Sequence, residues 1–246
     1  MDENILAGRR PILESLRAGQ HLDKLLISRD LAPSGIVGEI RKRAEEAGIS
    51  VRFVPKTQVD KAAPGLNHQG VVAVTGRYRY APLEDLLAEP GVGLLFLDGV
   101  TDPHNLGSLL RSADGAGLGG VVIPSHRSTG VTATVRRVSA GAAEIVPVAR
   151  VVNLGRALDQ AKEAGLWVVG FDEKSEDELW TSELLEPPVA LVVGAEDKGI
   201  SRGIRSRCDG TVRIPSQGKL ASLNVAVAGA IGMFELARRR PGSATL

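Results

Sequence analysis

The sequence predicts an α/β protein: a doubly wound parallel sheet preceded by a smaller α/β unit. Three observations carry this. After residue 90, six short apolar runs recur with helical stretches between them, the pattern of strands covered by helices on both faces. Between Leu22 and Val74 a shorter alternation of strand, helix and two strands stands by itself. Between these two parts, residues 76–82 (Gly-Arg-Tyr-Arg-Tyr-Ala-Pro) break every periodicity.

Taken in order, Leu25, Leu26 and Ile27 form the first strand. Residues 36–47 form a helix closed by Gly48, because Ile36, Ile40 and Ala44 recur at fourfold spacing with charges on the other face. Strands follow at residues 51–54 and 71–74, the latter after a polar turn region from Pro64-Gly65 to Gln69-Gly70. The small unit is assigned to residues 1–76, a linker to 77–91 and the larger domain to 92–246. In the larger domain strands are expected at residues 94–97, 121–123, 145–146, 167–169, 189–193 and 212–214. Periodicity alone points to an ordinary open sheet of Rossmann type, since true knots are nearly absent from proteins. Residues 115–120 satisfy G-x-G-x-x-G, but they close a helix and open a strand, the reverse of a dinucleotide fingerprint.

Composition narrows the function classes. No apolar run reaches the roughly 18 residues of a membrane span, and the start, Met1-Asp2-Glu3-Asn4, lacks a signal segment, so a soluble cytoplasmic protein is expected. Cys208 is the only cysteine, which excludes an internal disulfide and a cysteine metal site. His104 and His126 lack metal-ligand spacing, and no metal is expected. Net charge is +1 overall, yet residues 1–80 carry 13 Lys and Arg against 9 Asp and Glu, which makes the first part the better place for a polyanion.

Three separated segments read as one site. They are Asp102-Pro103-His104-Asn105-Leu106-Gly107 running on to Arg111, then Gly194-Ala195-Glu196-Asp197-Lys198-Gly199, then Ile214-Pro215 followed by Ser222-Leu223-Asn224. Each follows an apolar strand, and in an open α/β sheet such loops gather at the carboxyl edge where ligands bind. After Asn105 a helix carries the apolar stripe Leu106, Leu109, Leu110 and Ala113, with Gly107, Ser108, Arg111 and Gly115 on the opposite face. Arg111 there offers a planar fork of donors that fits a phosphate. Glycines 194 and 199 let backbone approach a ligand, and Glu196 can accept hydrogen bonds from ribose or amine groups. Ser222 can cap the Ala- and Gly-rich helix behind it, while Ile214 and Leu223 supply apolar walls.

In order and spacing these segments resemble the three signature motifs of the SpoU family, the RNA ribose 2′-O-methyltransferases of the SPOUT class. They match D-P-x-N-x-G-x-x-x-R-[ST]-A, G-x-E-x-x-G-[IL], and I-P with S-L-N-V-[SA]-V-A. Asp197 stands where many relatives have glycine. The resemblance implies a SPOUT domain with a deep C-terminal trefoil knot behind an RNA-binding module similar to ribosomal protein L30e, a segment of which His68-Gln69-Gly70 resembles. It implies S-adenosylmethionine as cofactor, held by Gly194, Ala195, Gly199, Ile214 and Leu223, with Asn105, Arg111, Glu196, Ser222 and Asn224 as catalytic residues. It implies a homodimer, to which the apolar helix over residues 222–238 is suited. Within the family the resemblance implies an enzyme of the bacterial large-subunit ribosomal RNA (guanosine-2′-O-)-methyltransferase type. A transfer RNA methyltransferase would share every motif; a non-catalytic RNA-binding or assembly protein would not need Asn105, Arg111 and Glu196 together.

Overall fold

The computed structural model describes residues 5–17, 19, 22–75, 78–186, 188–218 and 223–240. The chain divides into two compact units, Met1–Arg79 with Thr132–Arg137, and Tyr80–Val131 with Val138–Leu246. Gly76 and Arg77, where the linker is expected to begin, lie outside the described residues, as do Met1 to Asn4.

In the first unit the elements are β1 (Ile5–Ala7), α1 (Arg9–Arg17), β2 (Leu22–Ser28), α2 (Gly35–Glu46), β3 (Ser50–Val54), α3 (Lys56–Ala62) and β4 (Val71–Thr75). They form a sheet in the order β1-β4-β2-β3, antiparallel except for the β2–β3 pair. Strand alternation sends Leu25, Ile27 and Ala73 toward Ile12, Leu16, Val37 and Ile40 of the two longer helices, and Leu26 and Val72 toward Val59 of α3. β1, α1 and α3 are not among the elements expected from the sequence. α1 was legible, because Ile12, Leu13 and Leu16 bury one face, whereas β1 has only three residues. In the polar turn, His68 is held from two sides: its Nδ1 accepts from Gly70 N at 3.0 Å and its Nε2 lies 2.9 Å from Asp60.

The second unit runs α4 (Leu83–Ala88), β5 (Gly93–Asp98), α5 (Pro103–Ala116), β6 (Gly120–Pro124), α6 (Ala133–Val138), β7 (Val148–Val151), α7 (Leu154–Glu163), β8 (Trp167–Phe171), β9 (Val189–Gly194), α8 (Arg202–Arg205), β10 (Gly210–Val212) and α9 (Val225–Arg239), the first five residues of α6 belonging to the other unit. Six strands form a wholly parallel sheet in the order β10-β8-β9-β5-β6-β7. Parallel strands covered on both faces need apolar residues throughout, and β5 and β9 are buried from end to end except for their last residue. Leu94, Phe96, Val122, Ala190 and Val192 pack with Leu154, Leu158 and Ile204 on one face. On the other face α9 approaches so closely that a Cβ on Gly229 would fall 2.4 Å from Leu109 and one on Gly232 2.3 Å from Phe171.

Two expected strands move. The strand placed at Ile145 and Val146 is β7, which begins at Val148; Ile145 is 67% exposed and ends a short 3₁₀ turn. Pro147 lies between; its carbonyl accepts from Val121 N at 2.9 Å, but without an N–H it can donate nothing to the ladder. β10 stops at Val212, because its partner β8 ends at Phe171; the next amide, Arg213 N, bonds to Asp177 O instead. Residues 115–120 behave as expected: Gly117 caps α5 at φ 71° and Gly120 opens β6. Cys208 is a partly buried free thiol whose pKa burial pushes up to about 11, which keeps it protonated and unreactive at neutral pH.

Candidate active site

The three motif segments follow β5, β9 and β10, so their loops open at the same carboxyl edge of the sheet, those of β5 and β9 side by side. α5 starts where Asp102 caps it, its carboxylate accepting from His104 N at 2.8 Å, with Pro103 in the first turn where its missing N–H costs nothing. This sets Asn105 inward and 9% exposed. α9 is capped by Asn224, whose Oδ1 accepts from Ala226 N at 2.9 Å and Val227 N at 3.3 Å. The cap was expected at Ser222. Ser222 lies outside the described residues, and the amide at Asn224 meets the helix's first free N–H groups itself.

Side chains from all three segments then meet. Asn224 Nδ2 donates to Asn105 Oδ1 at 3.0 Å and, over a very short distance, to Glu196 Oε1. The same carboxylate oxygen accepts from Asn105 Nδ2 at 3.4 Å and from Val225 N at 3.4 Å. Glu196 therefore sits at the positive end of α9, with two amides and a backbone N–H converging on one of its oxygens. Arg111 is outside this cluster. It stands on the exposed face of α5, and its side chain makes no hydrogen bond or ion pair among the described residues. Gly107, expected beside it, is buried with the apolar stripe; Ser108 and Gly115 share the exposed face.

Beside the cluster lies a cleft of about 560 Å³, and Gly194, Ala195, Gly199, Ile214 and Leu223 all line it, as does Glu196. Its size falls within the range of ligand pockets. The loop over β9 is a tight turn in which Gly199 N donates to Ala195 O at 2.7 Å and Gly199 adopts the left-handed φ of 63°. Gly194 has a further reason to be glycine: a Cβ there would lie 2.0 Å from Gly199 C and 2.2 Å from Ile200 N, so it makes room for its own loop. Asp197 is exposed and 3.6 Å from Lys198; it is not the left-handed residue, and it imposes no strain.

Two supports of the site lie outside the three motifs. Asp98, the last residue of β5, accepts from Ser201 N at 2.7 Å and fixes the exit of the β9 loop. The segment after β8 forms the far wall, where Asp172 pairs with Arg205 and both line the cleft. Its signal was available, since β8 is parallel to β9 and must end at the same edge. Among the described residues no cluster of three or more His, Cys, Asp or Glu could hold a metal, and no helix is long and apolar enough to cross a membrane.

Comparison with known proteins agrees with this geometry. Residues 93–234 match the model of the SpoU rRNA methylase family, and residues 5–81 match that of the RNA 2′-O ribose methyltransferase substrate-binding domain. A Bacillus subtilis (strain 168) protein, YacO, named for the TrmH family of tRNA/rRNA methyltransferases, is 39% identical over 95% of this chain and 94% of its own. The AdoMet-bound rRNA methyltransferase of Sinorhizobium meliloti superposes with a TM-score of 0.75 at 27% identity, over 95% of this chain and 86% of that one. AviRb of Streptomyces viridochromogenes, a SpoU methyltransferase solved in complex with AdoMet, gives a TM-score of 0.73 at 28% identity, over 96% and 89%. The TrmH/SpoU tRNA-modifying enzyme of A. aeolicus covers only 64% of this chain, at a TM-score of 0.54 and 25% identity, and 82% of its own. With its motifs joined in one hydrogen-bonded cluster and both parts matched, the chain belongs to the SpoU family of S-adenosylmethionine-dependent RNA 2′-O-methyltransferases.

Proposed function

We propose that this SpoU-family enzyme methylates the 2′-hydroxyl of a guanosine ribose in large-subunit ribosomal RNA. The observation that carries the reading is the convergence of Asn105, Glu196 and Asn224 beside a cleft lined by Gly194, Ala195, Gly199, Ile214 and Leu223. The cleft suits the cofactor's chemistry: Ile214, Leu223 and Val193 offer apolar surface to an adenine, and Glu196 offers a carboxylate to its cationic groups. S-adenosylmethionine, when bound, would supply an electrophilic methyl group, which would pass in line from the sulfonium sulfur to the ribose oxygen as the carbon–sulfur bond breaks and S-adenosylhomocysteine leaves.

The chain's own part is positioning. The Asn105–Glu196–Asn224 cluster fixes the start of α5 relative to the β9 loop and so fixes where Arg111 stands. Arg111, whose side chain has no partner among the described residues, holds the ribose and an adjacent phosphate and stabilises negative charge on the oxygen as its proton passes to solvent water. A guanidinium stays protonated at neutral pH, so it acts as a donor and not as the base. Ser222 joins the same group in this reading.

Ribosomal RNA is favoured over transfer RNA by coverage, since the Sinorhizobium rRNA enzyme spans both units while the A. aeolicus tRNA enzyme spans 64% of the chain. The proposal includes residues 1–76 as an L30e-like RNA-binding domain, 77–91 as linker, and 92–246 as the catalytic domain with its C-terminal knot. It also includes a cytoplasmic homodimer joined at α9, where Val227 and Phe234 remain 48% and 42% exposed. Sedimentation should give twice the chain mass of 25.9 kDa. The deciding experiment is a map of ribose methylation in RNA from cells with and without the protein. A guanosine of large-subunit RNA should lose its methyl group; loss confined to transfer RNA would overturn the substrate assignment.

A further inference from the structure

Across the carboxyl edge of the second unit's sheet, the neighbourhoods run in a fixed order. The cleft is built over the ends of β8, β9 and β10. α5, with Asn105 and Arg111, follows β5, and the next loop along is that of β6, residues 125–130 (Ser-His-Arg-Ser-Thr-Gly). An RNA strand is a polymer that continues past the ribose being methylated. With the cofactor side of α5 taken by the cleft, the open direction is over β6.

The β6 loop is built to be held at both ends and bare at its tip. At its entry Ser125 N donates to Val151 O at 2.8 Å, and Arg150 Nη2 donates to Ser125 O at 3.1 Å. The same Arg150 guanidinium stacks over the Tyr80 ring at 5.5 Å, and the Tyr80 hydroxyl accepts from Val131 N at 3.0 Å, just past the loop's exit. Gly130 makes room for that hydroxyl, which a Cβ would meet at 2.8 Å. Thr129 N donates to Val100 O at 3.1 Å, tying the loop to the segment that leads into α5. Between these anchors His126 and Arg127 are exposed. Arg127 sits at φ 55°, a left-handed conformation that side-chain-bearing residues adopt rarely, and its guanidinium has no hydrogen bond or ion pair among the described residues. No acidic residue occurs between Ser125 and Val131. A preorganised loop with an unpaired planar cation fits a phosphodiester, and the only polyanion the reaction brings to this edge is the substrate RNA.

We propose that residues 125–130 form a phosphate-binding site for the RNA strand flanking the methylated nucleotide, with Arg127 as its main contact. This rests on the reading that Arg111 and Asn105 face the acceptor ribose. The test uses full-length enzyme, labelled S-adenosylmethionine and total RNA from cells lacking the protein, which contains both ribosomal and transfer RNA. Wild-type enzyme reports which RNA is labelled and so judges the substrate assignment by itself.

Arg127→Gly removes the guanidinium while relieving the backbone. It should raise the KM for the labelled RNA about tenfold and flatten the dependence of log binding constant on log salt by about 0.7–0.9, the share of one phosphate contact. S-adenosylmethionine affinity, kcat at saturating RNA and melting temperature should hold or, for the last, rise slightly. Arg127→Lys should recover most of the RNA affinity. A wild-type KM and salt slope in Arg127→Gly would overturn the proposal, and so would a fall in kcat at unchanged KM.

Discussion

Replacing Gly194 by alanine tests the cleft where its geometry is tightest. A Cβ at this position would lie 2.0 Å from Gly199 C, 2.1 Å from Gly199 O and 2.2 Å from Ile200 N, all backbone atoms that cannot rotate away. Ordinary contact begins near 3.4 Å, so the turn over β9 must open by about 1.4 Å. That exceeds the tolerance of a hydrogen bond, so the 2.7 Å bond from Gly199 N to Ala195 O breaks and Glu196 is carried away from Asn224 and Val225. Forced expansion of a packed region costs about 1–3 kcal/mol in stability. If the opened turn no longer offers two of its backbone groups to the cofactor, binding weakens by a further amount of about 1–3 kcal/mol, up to about a hundredfold in Kd. Titration calorimetry of S-adenosylmethionine together with thermal unfolding reads both. Gly203→Ala is the control: nothing lies within 4 Å of its Cβ, it sits in α8, and it should leave Kd unchanged while stabilising the fold by up to about 1 kcal/mol. A Gly194→Ala enzyme that binds cofactor and melts like wild type would show that this turn neither forms the cofactor wall nor packs as described.

Arg111→Ala should slow single-turnover methyl transfer about a hundredfold, about 3 kcal/mol, with S-adenosylmethionine affinity unchanged, because Arg111 stands on α5 and does not line the cleft. Arg111→Lys should recover little, since a point charge cannot replace the planar fork; a wild-type rate in either variant would displace the catalytic assignment. At the far end of α9, Glu235 is 4% exposed and pairs at 2.8 Å with both Arg238 and Arg239, while Arg239 also donates to the carbonyls of Leu179, Trp180 and Ser182. Glu235→Ala leaves Arg239 with the carbonyls and the more distant Glu186, 3.9 Å away, and should cost about 3 kcal/mol, read as a lower melting temperature. Hydrogen bonding to Arg238 and then Arg239 lowers the Glu235 pKa below its ordinary 4.5, so this stabilisation is complete above that pH and disappears as pH falls below it. Acid unfolding of Glu235→Gln should therefore be less steep in pH than that of wild type; parallel curves would refute the pairing.

Sequence alone determined the elements whose apolar pattern is dictated by burial. β5 and β9 read as continuous apolar runs because a parallel strand is covered on both faces, and α5 read correctly through Leu106, Leu109, Leu110 and Ala113 because a helix buries one stripe. The three motif segments were legible for a related reason: glycine at 199 answers a local backbone need that is written into the residue type itself. What the tertiary structure decided depends on atoms distant in the chain. β7 began after Pro147 and β10 stopped with β8, because strand ends are fixed by the partner and not by the strand's own sequence. The cap of α9 fell to Asn224 because its amide also reaches Asn105 and Glu196, 119 and 28 residues away. Gly194 had to be small for the sake of Gly199, and Arg111 stood outside the cluster its motif suggested, since periodicity assigns a residue to a face of its helix but says nothing of what faces it across space.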